Sequence, residues 1–294
     1  MRVLLVSLSL LLAASCATTP VTDAPTVRLT HLRGPLWVAE DTFFAPENSL
    51  VHVGTADVTI VGATWTPHTA ALLHERIRAI TPLPVARVLL TNYHHDRAGG
   101  TAYWRGIGAE VLATEHTARL LALHWDCLVR DIRATYPDYP VLPRAQPTRT
   151  IAADERFEGG TIRLLYLGPS HTEDGLFVWF PAQRVLYGGC ILKEQLGNVD
   201  SANLAEYPRT LRRLVALGLP FDCIVSGHWT PVHGPELIDT YLRLLAEHDT
   251  ASREAATSPA GARASGADPR RGADDFADTR APTPHEAATL APRR

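Results

Sequence analysis

Short aliphatic and β-branched runs alternate with longer amphipathic segments between residues 27 and 248. This alternation constrains the fold most, because it predicts a mixed α/β domain rather than separate all-helical and all-strand units. The predicted strands are residues 36–38, 49–53, 58–61, 86–90, 161–167, 176–180, 184–187 and 222–225. The predicted helices are residues 66–80, 114–133, 202–217 and 235–247.

Residues 1–16 have the pattern of an export signal. Arg2 precedes a short apolar run, and small residues stand directly before Cys16. The run is too short to span a bilayer. We therefore expect a periplasmic protein in which Cys16 either carries a lipid anchor or lies at a plain cleavage site.

Residues 17–26 are predicted to be a linker, and residues 27–248 a single folded domain. Residues 249–294 are rich in Ala, Arg, Pro and Gly and have few large apolar side chains. Such a segment buries too little apolar surface to offset its chain entropy, so we expect a disordered tail. The net charge of -3 at pH 7 gives no sign of nucleic-acid binding. We expect a monomer that acts on a small molecule.

Residues of metal-ligand type follow four of the predicted strands. Asn92, His94 and Asp96 come after one strand, and alternating positions of an extended segment project to the same side. His171, Cys190 and His228 follow three others. Groups at strand ends gather along one edge in α/β folds, and imidazole, thiolate and carboxylate are zinc donors. The alternative interpretation is a set of polar loops whose His and Asp residues only cap helices.

Several ordered blocks carry a resemblance to a known family. They are Asn92-Tyr93-His94 with residues 96–100, residues 103–104, 168–172, 190–194 and 196–198, and Gly227-His228 with residues 233–237. Together they resemble the metallo-β-lactamase family, and most of all the mono-zinc, carbapenem-selective second subclass of class B. The resemblance implies an αββα sandwich with zinc in a cleft between two sheets.

The resemblance also implies a ligand set. Asp96, Cys190 and His228 would hold the primary zinc, with a fourth position open to water or substrate. His94 and His171 would form a weak second site, because the third position there is Asn92 and an amide is a poor zinc donor. We therefore expect one tightly bound zinc, and a second that is weak or inhibitory.

The implied activity is hydrolysis of the β-lactam amide bond. His94, Asp96 and His171 are the predicted catalytic residues, with His94 as general base and Asp96 as a competing candidate. The predicted substrate-binding residues are Asn92, Asn198 and Lys193, the only lysine in the chain. Two alternatives stay open, namely a broader two-metal hydrolase of the same fold and a non-catalytic zinc-binding lipoprotein.

Two residues depart from the family pattern. His95 is predicted to point away from the zinc, because neighbours on an extended segment face opposite sides. Trp229 follows His228 directly and leaves the shape of the nearby cleft wall undecided. The helix over residues 114–133 is expected to form a lid over the cleft, and Cys127 and Cys223 either pair or stay free.

Overall fold

A computed structural model describes residues 26–257, which form two β-sheets and six α-helices. The first sheet has the order β1-β2-β3-β4-β5-β6-β7. Its strands are β1 (Val27–Arg33), β2 (Leu36–Asp41), β3 (Glu47–Val53), β4 (Val58–Val61), β5 (Val85–Leu89), β6 (Glu110–Thr114) and β7 (Arg149–Ile151). The first four strands pair antiparallel, and the pairs from β4 to β7 are parallel.

The second sheet has the order β13-β12-β11-β10-β9-β8. Its strands are β8 (Arg156–Phe157), β9 (Ile162–Leu165), β10 (Phe177–Phe180), β11 (Val185–Gly189), β12 (Cys223–Ser226) and β13 (Val232–His233). Only β11 and β12 pair in parallel. The central strands of both sheets are buried along nearly their whole length, as expected where both faces of a sheet are covered.

Helices cover the outer face of each sheet. They are α1 (Pro67–Ile80), α2 (His95–Ala98), α3 (Thr101–Gly106), α4 (Glu115–Thr135), α5 (Tyr207–Ala216) and α6 (Leu237–Thr257). Thr66 begins α1 with a capping box, and Thr114 caps α4 by accepting from the Thr117 N–H. No helix between residues 26 and 257 combines the length and the apolarity needed to cross a membrane.

Three buried cores separate the four layers. Leu73, Trp104 and Trp125 belong to the core between the first sheet and α1, α3 and α4. A second core, with Leu50 and Val178, fills the space between the sheets, and a third lies under α5 and α6. This arrangement confirms the predicted αββα sandwich.

The structure differs from the predicted elements in three ways. The predictions omit strands β1, β6, β7, β8 and β13 and the short helices α2 and α3. Helix α5 begins at Tyr207 and not at residue 202, because Pro208 occupies its first turn. Helix α6 continues past His248 to Thr257, so the predicted boundary of the tail lies inside this helix. Helix-forming alanines and the Arg253–Asp249 ion pair support the extra turns.

Residues 1–16, with Cys16, lie outside the described residues.

Candidate metal centre

Asp96, Cys190 and His228 converge at one edge of the sandwich. Asp96 lies in α2, Cys190 follows β11, and His228 follows β12. Their ligand atoms all lie within 4.8 Å of one another. The Cys190 Sγ is 3.0 Å from the Asp96 Oδ2, and the His228 Nε2 is 3.2 Å from the same oxygen. A thiol, a carboxylate and an imidazole that meet in this way are a donor set suited to zinc, so these residues fit the metal.

Close backbone contact holds two of these ligands in place. The parallel pairing of β11 and β12 brings their carboxyl ends together, and the Gly227 N–H donates to the Gly189 carbonyl at 2.9 Å. A Cβ on Gly227 would lie 2.4 Å from the Gly189 carbonyl carbon, so only glycine fits at this position. The separation between Cys190 and His228 is therefore set by backbone packing.

Each ligand has a defined protonation environment in the metal-free protein. Burial raises the pKa of the Cys190 thiol to about 12. Burial would also raise the pKa of Asp96, but Arg97 and His228 together hold it well below its usual range. The His228 Nδ1–H donates to the Pro46 carbonyl at 2.9 Å, which leaves the Nε2 lone pair facing the other two ligands.

Arg97 lies directly beneath the triad. Its side chain is 0% exposed, and its Nε lies 3.0 Å from both the Cys190 Sγ and the Asp96 Oδ2. A fixed positive charge at this position favours the anionic forms of both ligands. Arg97 thus neutralises part of the negative charge of Asp96 and of the Cys190 thiolate, which a bound cation would neutralise as well.

The other end of the Arg97 guanidinium joins the two sheets. Its Nη1 donates to the Glu47 Oε1 at 2.5 Å, the Asn48 carbonyl at 2.8 Å and the Tyr187 Oη at 2.7 Å. Its Nη2 donates to the Gly227 carbonyl at 2.6 Å. Burial raises the pKa of Glu47 to about 8 despite Arg97. The sequence places Arg97 in a motif, but nothing local in it reveals that the side chain is buried between the sheets.

His94 and His171 form a second cluster beside the triad. Their ring centroids are 5.2 Å apart, and burial lowers the pKa of His94 to about 4 and that of His171 well below its usual value. Asn92 is buried and is not among the residues that line the cleft, and its role in substrate binding stays a prediction. Its Oδ1 accepts from the His94 backbone N–H at 3.0 Å, so its amide shapes the turn before α2.

His95 lines the cleft, although it is not one of the three residues whose ligand atoms converge. It is the first residue of α2, with His94 as the N-cap, and the alternation of an extended strand does not apply there. Its ring packs against Trp65 and Tyr139 at centroid distances of 5.1 Å and 5.7 Å. Burial lowers the pKa of His95 to about 4.

Lys193 and Asn198 lie on the wall of the same cleft. Lys193 is 2% exposed, and no carboxylate forms an ion pair with it among residues 26–257. The Asn198 Nδ2 donates to the Asp200 carboxylate at 3.0 Å, which orients the amide. The remaining lining residues include Gly197 and Trp229.

Helix α4 was predicted to form a lid over the cleft. None of the described residues that line the cleft belongs to it. Its apolar face packs inward, and Trp125 is almost completely buried in the core outside the first sheet. Cys127 on α4 and Cys223 in β12 are both unpaired.

Comparison with known proteins places this geometry in a family. Residues 43–228 match the model of the metallo-beta-lactamase superfamily. The chain belongs to this superfamily. Members depend on a metal ion, usually zinc, and the triad of Asp96, Cys190 and His228 lies within the matched residues.

Curated relatives of this superfamily member carry the name β-lactamase. The chain is 29% identical over 185 residues to the metallo-beta-lactamase IND-1 of Chryseobacterium indologenes, covering 62% of this chain and 71% of the relative. It is 26% identical over 215 residues to a type 2 metallo-beta-lactamase of Elizabethkingia meningoseptica, covering 70% and 80%. These relatives support a hydrolase.

Solved structures show the same fold. TMB-1 matches with a TM-score of 0.67 and 19% identity, covering 77% of this chain and all of that one. The metallo-β-lactamase FIM-1 of Pseudomonas aeruginosa, in its mono-zinc form, matches with a TM-score of 0.63 and 20% identity, covering 76% and 96%.

Loss of Arg97 should strongly destabilise this metallo-β-lactamase fold. Arg97→Ala leaves buried carboxylate and carbonyl groups unpaired, so the free energy of unfolding should fall by about 3–5 kcal/mol. The matched control is Arg28→Ala, which breaks an exposed pair with Glu40 and should cost under about 1 kcal/mol. Urea denaturation of the metal-free proteins measures both, and equal losses would show that Arg97 is no more than a surface charge.

The metal-free protein should also lose stability in mild acid because of His95. The pKa of His95 in the folded protein is about 4, below the ordinary value of 6.5. Its contribution to the free energy of unfolding is therefore complete above about pH 6.5 and is lost as the pH falls through 4. His95→Asn removes this dependence, worth about 3 kcal/mol across the window. The comparison is urea unfolding from pH 7 to pH 4, with exposed His68→Asn as control. A variant as acid-sensitive as the wild type contradicts a buried neutral His95.

Proposed function

We propose that the chain is a mono-zinc β-lactamase that hydrolyses the β-lactam amide bond and prefers carbapenems. One observation carries this proposal. Asp96 and His228 of the triad of zinc-type ligands line the same cleft as Lys193, a buried cation without a carboxylate partner among the described residues. The β-lactamase names of the curated relatives support the same substrate class.

The donor count supports one metal ion. Asp96, Cys190 and His228 supply three donors, whereas His94 and His171 supply two. The third position of the second site is Asn92, whose amide oxygen is engaged with the His94 N–H. The primary site would hold zinc tightly, and any second ion weakly. When bound, zinc supplies a Lewis acid and a concentrated positive charge.

Lys193 and Asn198 are proposed to position the substrate. An ammonium approaches a carboxylate as a compact charge, without the planar fit that a guanidinium requires. Lys193 is held among buried side chains, 5.9 Å from the centre of the Tyr241 ring, so little side-chain entropy is left to lose on binding. The carboxylate common to bicyclic β-lactams is its natural partner.

His94 is the better candidate for general base. Its Nε2 is buried without a hydrogen-bond partner among the described residues, so a water molecule placed beside it would meet a ring nitrogen that is free to accept a proton. The Asp96 Oδ2 is already engaged by Cys190, Arg97 and His228. His171 faces His94 and would hold the water or the lactam carbonyl.

Export to the periplasm is part of this proposal. It rests on the leader over residues 1–16, with lipid attachment at Cys16 as one of two routes for processing. The proposed molecule is a monomer.

Zinc titration of the metal-free mature protein tests the proposal. Imipenem hydrolysis should rise to a maximum near one equivalent of zinc and fall with excess metal, because ions in the weak site would crowd His94 and His171. Asn92→His adds a third imidazole and should raise the bound zinc towards two equivalents, measured by atomic absorption.

The other outcomes separate the alternatives. Activity that keeps rising to two equivalents indicates a two-metal hydrolase. Tight zinc binding without turnover of any β-lactam indicates a zinc-binding protein that is not a β-lactamase.

Lys193→Ala should weaken substrate binding without loss of zinc. A charge-assisted hydrogen bond contributes about 1.5–3 kcal/mol, so the KM for imipenem should rise roughly 10- to 100-fold. Arg212→Ala removes one positive charge from the exposed side of α5 and serves as the control. Unchanged KM in Lys193→Ala would remove this residue from the substrate site.

A further inference from the structure

Trp229 has an unusual backbone conformation next to a metal ligand. It follows His228 directly, and its φ of 55° lies in the left-handed region, which large side chains rarely adopt. Such conformations cost free energy and persist only where the surroundings enforce them. The strained backbone of Trp229, next to a metal ligand, therefore suggests that the position of its side chain matters for the site.

Hydrogen bonds on both sides enforce this conformation. The Ser226 Oγ lies 2.8 Å from the His228 carbonyl and 2.7 Å from the Thr230 carbonyl, so it can donate to either side of the tryptophan. The Trp229 carbonyl itself accepts from the Asn48 Nδ2 at 3.2 Å. These contacts hold the peptide units so that the indole turns towards the cleft.

The indole forms a wall of the cleft beside Gly197. A Cβ on Gly197 would lie 3.1 Å from the Trp229 Cη2 and 3.4 Å from the Lys193 Nζ. Gly197 also has a φ of 63°, which favours glycine on its own account. The indole, Gly197 and the ammonium thus lie close together, and the indole limits the space beside the ammonium.

We propose that Trp229 is a specificity-determining residue that limits the size of the group next to the substrate carboxylate. This inference rests on the proposed β-lactamase function. In a carbapenem, the ring carbon that bears the carboxylate adjoins the carbon that bears the fused-ring side chain. A carboxylate held at Lys193 therefore leaves that side chain within reach of the indole, which lies close to the ammonium. The cleft selects for small fused-ring substituents through Trp229.

Two carbapenems with the same bicyclic core provide the test. Meropenem and ertapenem differ only in the fused-ring side chain, which is larger and aromatic in ertapenem. Trp229→Asn removes the wall and keeps a residue that tolerates the left-handed backbone. The ratio of kcat/KM for ertapenem to that for meropenem should rise about tenfold, and Trp229→Phe should raise it by less.

Controls separate this role from a structural one. Zinc content should stay at the wild-type value in both variants. Arg184→Asn changes another residue with positive φ, at a position outside the cleft, and should leave the ratio unchanged. If the ratio is unchanged in Trp229→Asn, or if kcat/KM falls equally for both substrates, the proposed role of Trp229 is overturned while the β-lactamase function stands. A wild-type protein that hydrolyses neither carbapenem overturns both proposals.

Discussion

The buried guanidinium of Arg97 is the contact through which the two sheets and the metal ligands depend on one another. Water does not reach it, so its desolvation must be offset by partners within the protein. Those partners come from β3, β11, the loop after β12 and the triad itself. A displacement of either sheet would break several of these bonds at once. The geometry of the centre is therefore coupled to the packing of the whole sandwich.

The two halves of the cleft have different electrostatic characters. Around Asp96 and Cys190, the positive charge of Arg97 compensates negative ligands. Around His94, His95 and His171, burial keeps imidazole rings neutral. A cation would be attracted to the first half, and the second would offer neutral acceptors to a water molecule or a polar substrate. This division supports the proposal of one strong and one weak metal site.

Much of the fold could be predicted because the central strands are continuous apolar runs between turn residues. β3, β4, β10 and β12 are of this kind. Residues of metal-ligand type after β5, β11 and β12 marked the site, and the family resemblance selected Asp96, Cys190 and His228 among them. The short edge strands carry too little pattern to be recognised. The prediction for His95 assumed a continued strand, whereas helix α2 begins at this residue, directly after His94. The role of Arg97 depends on contacts with residues up to 130 positions away along the chain, which no local pattern encodes.

The close approach of Gly227 to Gly189 has a further consequence for how the centre is assembled. Backbone contact sets the spacing of the loops that carry Cys190 and His228. The conformational entropy of these loops is therefore lost when the protein folds, and not when an ion binds. Such preorganisation favours rapid capture of an ion whose radius suits the spacing. It also disfavours larger ions that prefer many oxygen ligands, since the two loops cannot move apart without losing the pairing of β11 with β12.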